Sequence, residues 1–188
     1  LTSRPTDIIA GFPVRPGFFE LNGATPLSNG VNFTAHTRHG TSCELLLFHS
    51  GEEEPFAVLP FPNACCIGDV YSMIIMGLDI EDLEYGYRID GPYEPEKGHI
   101  FDKTKVLLDP YAKAVAGQRE WGQQKIGSYH ARVVRDSFDW EDMPQSTRKI
   151  SDLIIYELHV RGFTQDSSSG VMHPGTFALS LIHISEPT

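Results

Sequence analysis

The stretch Tyr85-Gly86-Tyr87-Arg88-Ile89-Asp90-Gly91-Pro92-Tyr93 alternates with a period of two. Tyr85, Tyr87 and Ile89 fall on one face; Gly86, Arg88 and Asp90 fall on the other. That period belongs to a strand with one face buried. Asp90-Gly91 then supplies a turn and Pro92-Tyr93 a corner, so the strand ends there.

Toward the amino terminus the same texture repeats at short intervals. Residues 30–36 place Val31, Phe33 and Ala35 opposite Asn32, Thr34 and His36. Residues 43–49, 56–59 and 69–76 are further strand candidates, separated by clusters of Gly, Pro, Ser and acidic residues. Regularly spaced short strands with turns between them predict a mainly β chain built on an immunoglobulin-like antiparallel β-sandwich, here over residues 1–95. Residues 2–30, punctuated by Pro5, Pro13, Pro16 and Pro26, read as a covering arm with turns rather than regular structure.

Past Pro92 and Pro95 the pattern changes, and residues 96–151 read as a connector. Within it, 105–117 reads as a turn and a short helix, with Asp109 as N-cap, Pro110 at the first helical position and Gly117 at the end. Residues 152–164 are nearly continuous in apolar character, through Leu153, Ile154, Ile155, Leu158 and Val160. Such a run suits a strand buried on both faces, as in a parallel sheet.

The chain has 188 residues, 40% of them hydrophobic, and a net charge of -10. An acidic chain without a basic stripe argues against nucleic acid or an anionic membrane surface as partner. No apolar run approaches the roughly 20 residues a membrane span needs. Cys43, Cys65 and Cys66 make no disulfide framework, and an adjacent pair suits a reducing, cytoplasmic setting. No Cys or His spacing predicts a metal site, and no cofactor is expected.

Six short motifs follow one another along the chain: Gly30-Val31-Asn32-Phe33, the opening stretch 85–93, Gly98-His99-Ile100-Phe101, Leu107-Leu108-Asp109-Pro110-Tyr111-Ala112-Lys113, Phe138-Asp139-Trp140-Glu141, and 155–164 from Ile155-Tyr156-Glu157 to Gly162-Phe163-Thr164. In that order they resemble the amino-terminal half of glycogen-debranching and isoamylase-type enzymes. These belong to the α-amylase superfamily (glycoside hydrolase family 13) and carry a family 48 carbohydrate-binding module. The resemblance implies a sandwich module, then the first strand of a (β/α)8 barrel, opening at Asp152. Such barrels take about 250 residues, and 37 remain from Asp152 onward. Residues 152–178 are therefore expected to start an incomplete barrel. The ending from Leu179 to Thr188 departs from the family and resembles a translated sequencing adapter, so 179–188 is expected to be a non-native tail.

The implied parent hydrolyses α-1,6 branch linkages of glycogen or limit dextrin. Glycoside hydrolysis needs two carboxylates flanking the scissile bond, and in this family they sit on later barrel strands. No catalytic residue is assigned, and the chain is expected to be non-catalytic. A pullulanase or a branching enzyme shares the same order of domains, and a glucan-binding module without catalysis is the alternative from another class. Glu157 and His159, two apart on the expected strand, read as scaffold bonded to each other or to neighbours. Tyr71, Tyr85, Tyr87, Tyr93 and Trp121 are candidate platforms for α-glucan rings. At Tyr71 the family more often has Trp. Alternating tyrosines also suit core packing.

Overall fold

A computed structural model describes residues 4–117, 129–135 and 148–176. Among the described residues thirteen strands run in chain order: β1 (Asp7–Ile9), β2 (Phe12–Pro16), β3 (Gly23–Leu27), β4 (Gly30–His36), β5 (Ser42–His49), β6 (Ala57–Pro60), β7 (Cys66–Ile67), β8 (Val70–Met76), β9 (Leu83–Asp90), β10 (Tyr93–Glu94), β11 (His99–Ile100), β12 (Ala114–Ala116) and β13 (His130–Arg132). One sheet has the order β1-β2-β8-β4-β3, with β7 also paired to β8; the other has the order β12-β13-β9-β5-β6. The described pairings are antiparallel.

Period two decides what lies between the sheets. Val31, Phe33, Met73 and Ile75 of the first sheet meet Leu45, Leu47, Leu83 and Tyr85 of the second in one buried cluster. Phe33 and Tyr85 touch edge to face, with ring centroids 5.1 Å apart. This is the expected antiparallel sandwich.

The outer faces are also covered. On the first sheet Asn32, Thr34 and Ser72 are buried and linked, Thr34 Oγ1 lying 2.7 Å from Ser72 Oγ. The Phe18 N–H donates to Asn32 Oδ1 at 2.8 Å, which ties the loop after β2 over them. On the second sheet Leu46 and Phe48 are buried, and His130 stacks on Phe48 at 3.8 Å.

Three expectations need correction. Residues 2–30 are not a structureless arm: they supply β1, β2 and β3. Their prolines do not break the sheet because Pro26 lies on edge strand β3 and Pro16 ends β2, where a missing N–H costs no ladder bond. Residues 105–117 form no helix. The Leu107 backbone exchanges hydrogen bonds with Tyr87, a single turn follows at Asp109–Ala112, and the chain enters β12. Asp109 does cap, but it caps that one turn, accepting from the Tyr111 N–H at 2.8 Å. The segment read as a connector, 96–151, also contributes β12 and β13 to the second sheet.

The described residues 148–176 fall in a second compact unit. The strand expected at 152–161 is not formed there. Leu153 to His159 pair with no strand among the described residues, Ile154 is fully exposed, and a four-residue helix, α1 (Val160–Phe163), follows. A strand exists only through its ladder, and no described neighbour supplies one. His159 does not pair with exposed Glu157; its Nδ1 accepts from the Gly162 N–H at 2.9 Å and caps α1.

Candidate functional site

The tyrosines sort by burial. Tyr71, Tyr85 and Tyr87 all point into the sandwich and belong to the core cluster. Tyr71 packs edge to face on Phe61, and Tyr85 on both Phe33 and Tyr87. Their ring faces are spent on one another, so Tyr71 and Tyr87 present no platform to solvent. The alternation that marked β9 as a strand is the reason: the face rich in aromatics is the inward one. Trp121 lies outside the described residues.

Tyr93 differs. It is 71% exposed and stands in β10, paired in register with Ile100 of β11, itself 69% exposed. Directly opposite residues of an antiparallel pair project from the same face. Tyr93 and Ile100 thus form one exposed apolar patch on a short hairpin. Beneath the hairpin, Glu94 pairs with His99, and the His99 ring contacts His39 at 4.6 Å. Gly91, at the exit of β9, lies against the Phe101 ring. These contacts fix the hairpin to the sandwich. Its glycine at the αL position, Gly98 (φ 81°), closes the short helical turn between the strands.

A second feature is a cleft of about 690 Å³ at one end of the sandwich. His36 and Val70 line it from the first sheet, Tyr87 and Ile89 from the second, and Asp109 and Tyr111 from the loop after β11. Asp109 is buried, with Oδ2 accepting from the Tyr85 hydroxyl at 2.8 Å. Burial lifts its carboxyl above the usual range; the Tyr111 N–H and the Tyr85 and Tyr87 hydroxyls pull it partly back. Burial, then the Asp109 charge, keeps the Tyr85 phenol protonated far beyond neutral pH.

A carboxyl raised in the folded state favours folding below its ordinary range, and that contribution fades as pH rises through the raised value. Tyr85→Phe removes a donor to this carboxylate. It should cost about 1.5–3 kcal/mol at neutral pH and push the Asp109 carboxyl further up. Urea unfolding across pH 4–7 checks both: the deficit should shrink as pH falls.

Sequence reasoning missed this cleft because its walls come from Asn22, β4, β8, β9 and the 107–111 loop. The one legible signal was Asp109-Pro110-Tyr111, read as a helix start. Among the described residues no three His, Cys, Asp or Glu side chains are placed to hold a metal ion. No described helix is long and apolar enough to cross a membrane. Burial, with lesser contributions from Glu44 and Cys66, pushes the Cys43 thiol up to about 12, so it stays protonated and unreactive.

Comparison with known proteins follows the same outline. Residues 22–112, from β3 through the Asp109 turn, match the family model "Carbohydrate-binding module 48 (Isoamylase N-terminal domain)". Isoamylase SU1, chloroplastic, of Zea mays is 35% identical over 184 residues, covering 90% of this chain and 22% of that protein. The glycogen debranching enzyme of Salmonella typhi is 35% identical over 156 residues, covering 76% and 23%. A solved structure of GBS pullulanase SAP in complex with maltotetraose superposes with a TM-score of 0.60 at 26% identity, over 86% of this chain and 21% of that one. The chain therefore spans 22% and 23% of the length of these two curated relatives. The matched span takes in the central strands of both sheets, the Tyr93 hairpin and the Asp109 turn, and through it residues 22–112 belong to the carbohydrate-binding module 48, isoamylase N-terminal domain, family.

Proposed function

We propose that the chain is the amino-terminal, α-glucan-binding part of a debranching glycoside hydrolase whose whole form cleaves α-1,6 branch linkages of glycogen or limit dextrin. The observation that carries the reading is Tyr93, the one sequence-predicted platform among the described residues with a free ring. Sugar rings carry apolar C–H faces that stack on aromatic planes, and Ile100 beside Tyr93 extends the apolar area. Isoamylase and glycogen debranching enzyme among the curated relatives support the debranching type over a branching enzyme. The complex of GBS pullulanase SAP with maltotetraose supports an α-glucan as the ligand class.

On this reading residues 152–178 open a (β/α)8 barrel, 179–188 are a non-native tail, and the enzyme works in the cytoplasm. The glycosidic carboxylates lie outside this chain, which binds glucan without hydrolysing it.

Glycogen affinity electrophoresis, with a reducing-sugar assay on the same samples, tests the reading. The chain should be retarded by glycogen and release no reducing sugar. Tyr93→Ala should raise the apparent Kd roughly ten-fold, as losing one stacked ring does. Its stability should stay within about 0.5 kcal/mol, since the ring is exposed. Unchanged retardation of the Tyr93→Ala variant would refute the platform.

A further inference from the structure

The hairpin that carries Tyr93 belongs to neither sheet of the sandwich. Its strands share two residue pairs, Tyr93 with Ile100 and Glu94 with His99. A two-stranded ribbon that short does not keep its place by its own ladder. Its root is tied: the Phe101 ring lies on Gly91, Lys103 Nζ is 3.8 Å from Asp90, and Leu107 exchanges backbone hydrogen bonds with Tyr87. A hairpin tied only at its root can pivot there. Farther out, the His99 ring meets the His39 ring edge to face, with centroids 4.6 Å apart.

His39 stands in the loop between β4 and β5, and that loop is anchored on both sides. The Thr37 and Thr41 N–H groups donate to the Asp69 and Asp90 carbonyls at 2.9 and 2.8 Å. The His39 backbone lies in the left-handed region, at φ 69°. Among the described residues Ala10 is the other non-glycine with a positive φ. A side chain there strains the backbone, and such strain persists where the side chain is used. Glycine next door does not take over the conformation, because Gly40 is committed to packing: a Cβ on it would lie 2.7 Å from the Thr37 side chain. The His39 side chain is exposed and makes no hydrogen bond or ion pair among the described residues. What its ring does touch is His99.

We propose that His39 is a positioning residue for the Tyr93 platform: through His99 it stops the hairpin from pivoting about Gly91 and keeps Tyr93 and Ile100 presented to an α-glucan. Successive residues of a strand point to opposite faces. His39, against the Glu94–His99 face, therefore acts from the side away from Tyr93. The inference rests on the glucan-binding reading of the hairpin and adds the residue that holds it. A platform in place for only part of the time binds in proportion to that fraction. If the freed hairpin is in place about one-fifth of the time, the apparent Kd rises about five-fold.

Glycogen affinity electrophoresis and thermal unfolding of the 188-residue chain, with hydrogen exchange over residues 91–101, make the test. His39→Gly removes the ring and relieves the backbone. It should raise the apparent Kd about five-fold while the melting temperature stays at or above wild type. Exchange over 91–101 should quicken, with β4, β5 and β9 unchanged. His39→Phe restores a ring at a strained position, so it should bind like wild type and melt lower. A merely structural residue would move affinity and melting temperature in the same direction. If the Phe variant folds poorly, His99→Ala serves: it should weaken binding as His39→Gly does, and the double variant should go no further. Wild-type exchange over 91–101 in His39→Gly would overturn the proposal whatever the glycogen result. Unchanged retardation of His39→Gly, where Tyr93→Ala loses it, would overturn the proposal and leave the hairpin reading standing. Wild-type retardation of Tyr93→Ala would overturn the hairpin reading and this proposal with it.

Discussion

Glu84→Ala should destabilise the sandwich by about 3–5 kcal/mol, through a buried polar group left without its partner and the space left by a buried side chain together. Glu84 is 2% exposed and is the hub of the outer face of the second sheet. Its Oε1 accepts from the Ser50 hydroxyl at 3.1 Å and the Gly51 N–H at 3.0 Å. Its Oε2 meets His130 Nδ1 at 3.1 Å. Alanine takes this partner from buried His130 and opens space beside the stacked Phe48 and His130 rings, while the exposed Ser50 hydroxyl can turn to water. Domains of this size are stable by only about 5–15 kcal/mol, so the loss is a large share of the whole. Glu84→Gln keeps the shape and one acceptor oxygen and should cost about half as much. Urea midpoints of the two variants give the order. A Glu84→Ala variant within 1 kcal/mol of wild type would show that the hub contributes little.

The same residue shows where sequence reading runs out. Glu84 and His130 are 46 positions apart, and β13 adds to β9 in a register that places Arg132 opposite Glu84. Nothing local in either segment announces the pairing. In contrast, β4, β5, β6, β8 and β9 were legible within a residue or two, β4 and β9 from their alternation and the others as short apolar runs between turn clusters. Period two identifies the strand and its two faces, but it does not say which aromatic faces solvent. Tyr71 and Tyr87 looked like platforms until the second sheet covered them. Tyr93, past the end of β9 and after a proline, escaped that fate. The strands β1 to β3 were missed because prolines there sit at positions that spare the ladder. The helix expected from Asp109-Pro110 was a cap signal correctly read for chemistry and wrongly read for length. The residues around 155 were read from apolarity and from the family resemblance, and neither supplies the ladder that a strand needs.

The buried polar clusters share a logic. Asn32, Thr34 and Ser72 tie a loop over the first sheet, Glu84 ties β13 and the Ser50 turn to the second, and Asp109 ties the 107–111 loop over the end of the sandwich. Each secures a segment that apolar area alone would leave loosely held.

The opposite kind of constraint, a residue defined by the side chain it lacks, gives the other large effect. Gly30→Ala should destabilise the chain by about 3–5 kcal/mol, through backbone strain and overpacking together. Gly30 opens β4 at φ 152°, a conformation that L side chains rarely adopt. It is paired on both sides, to Leu27 of β3 and to Met76 of β8, so the strand cannot shift to relieve a clash. A Cβ there would fall inside the carbonyl of Ile75, which is backbone and cannot rotate away. Gly68, at φ 59° in the turn before β8, is the control: nothing lies within 4 Å of a Cβ there. Gly68→Ala therefore carries conformational strain alone, about 1–2 kcal/mol. If strain and steric exclusion both act at Gly30, its alanine variant should unfold at a clearly lower urea concentration than the Gly68 variant. Equal midpoints would mean that β4 yields at its first residue and that the β4–β8 register is held from Val31 onward.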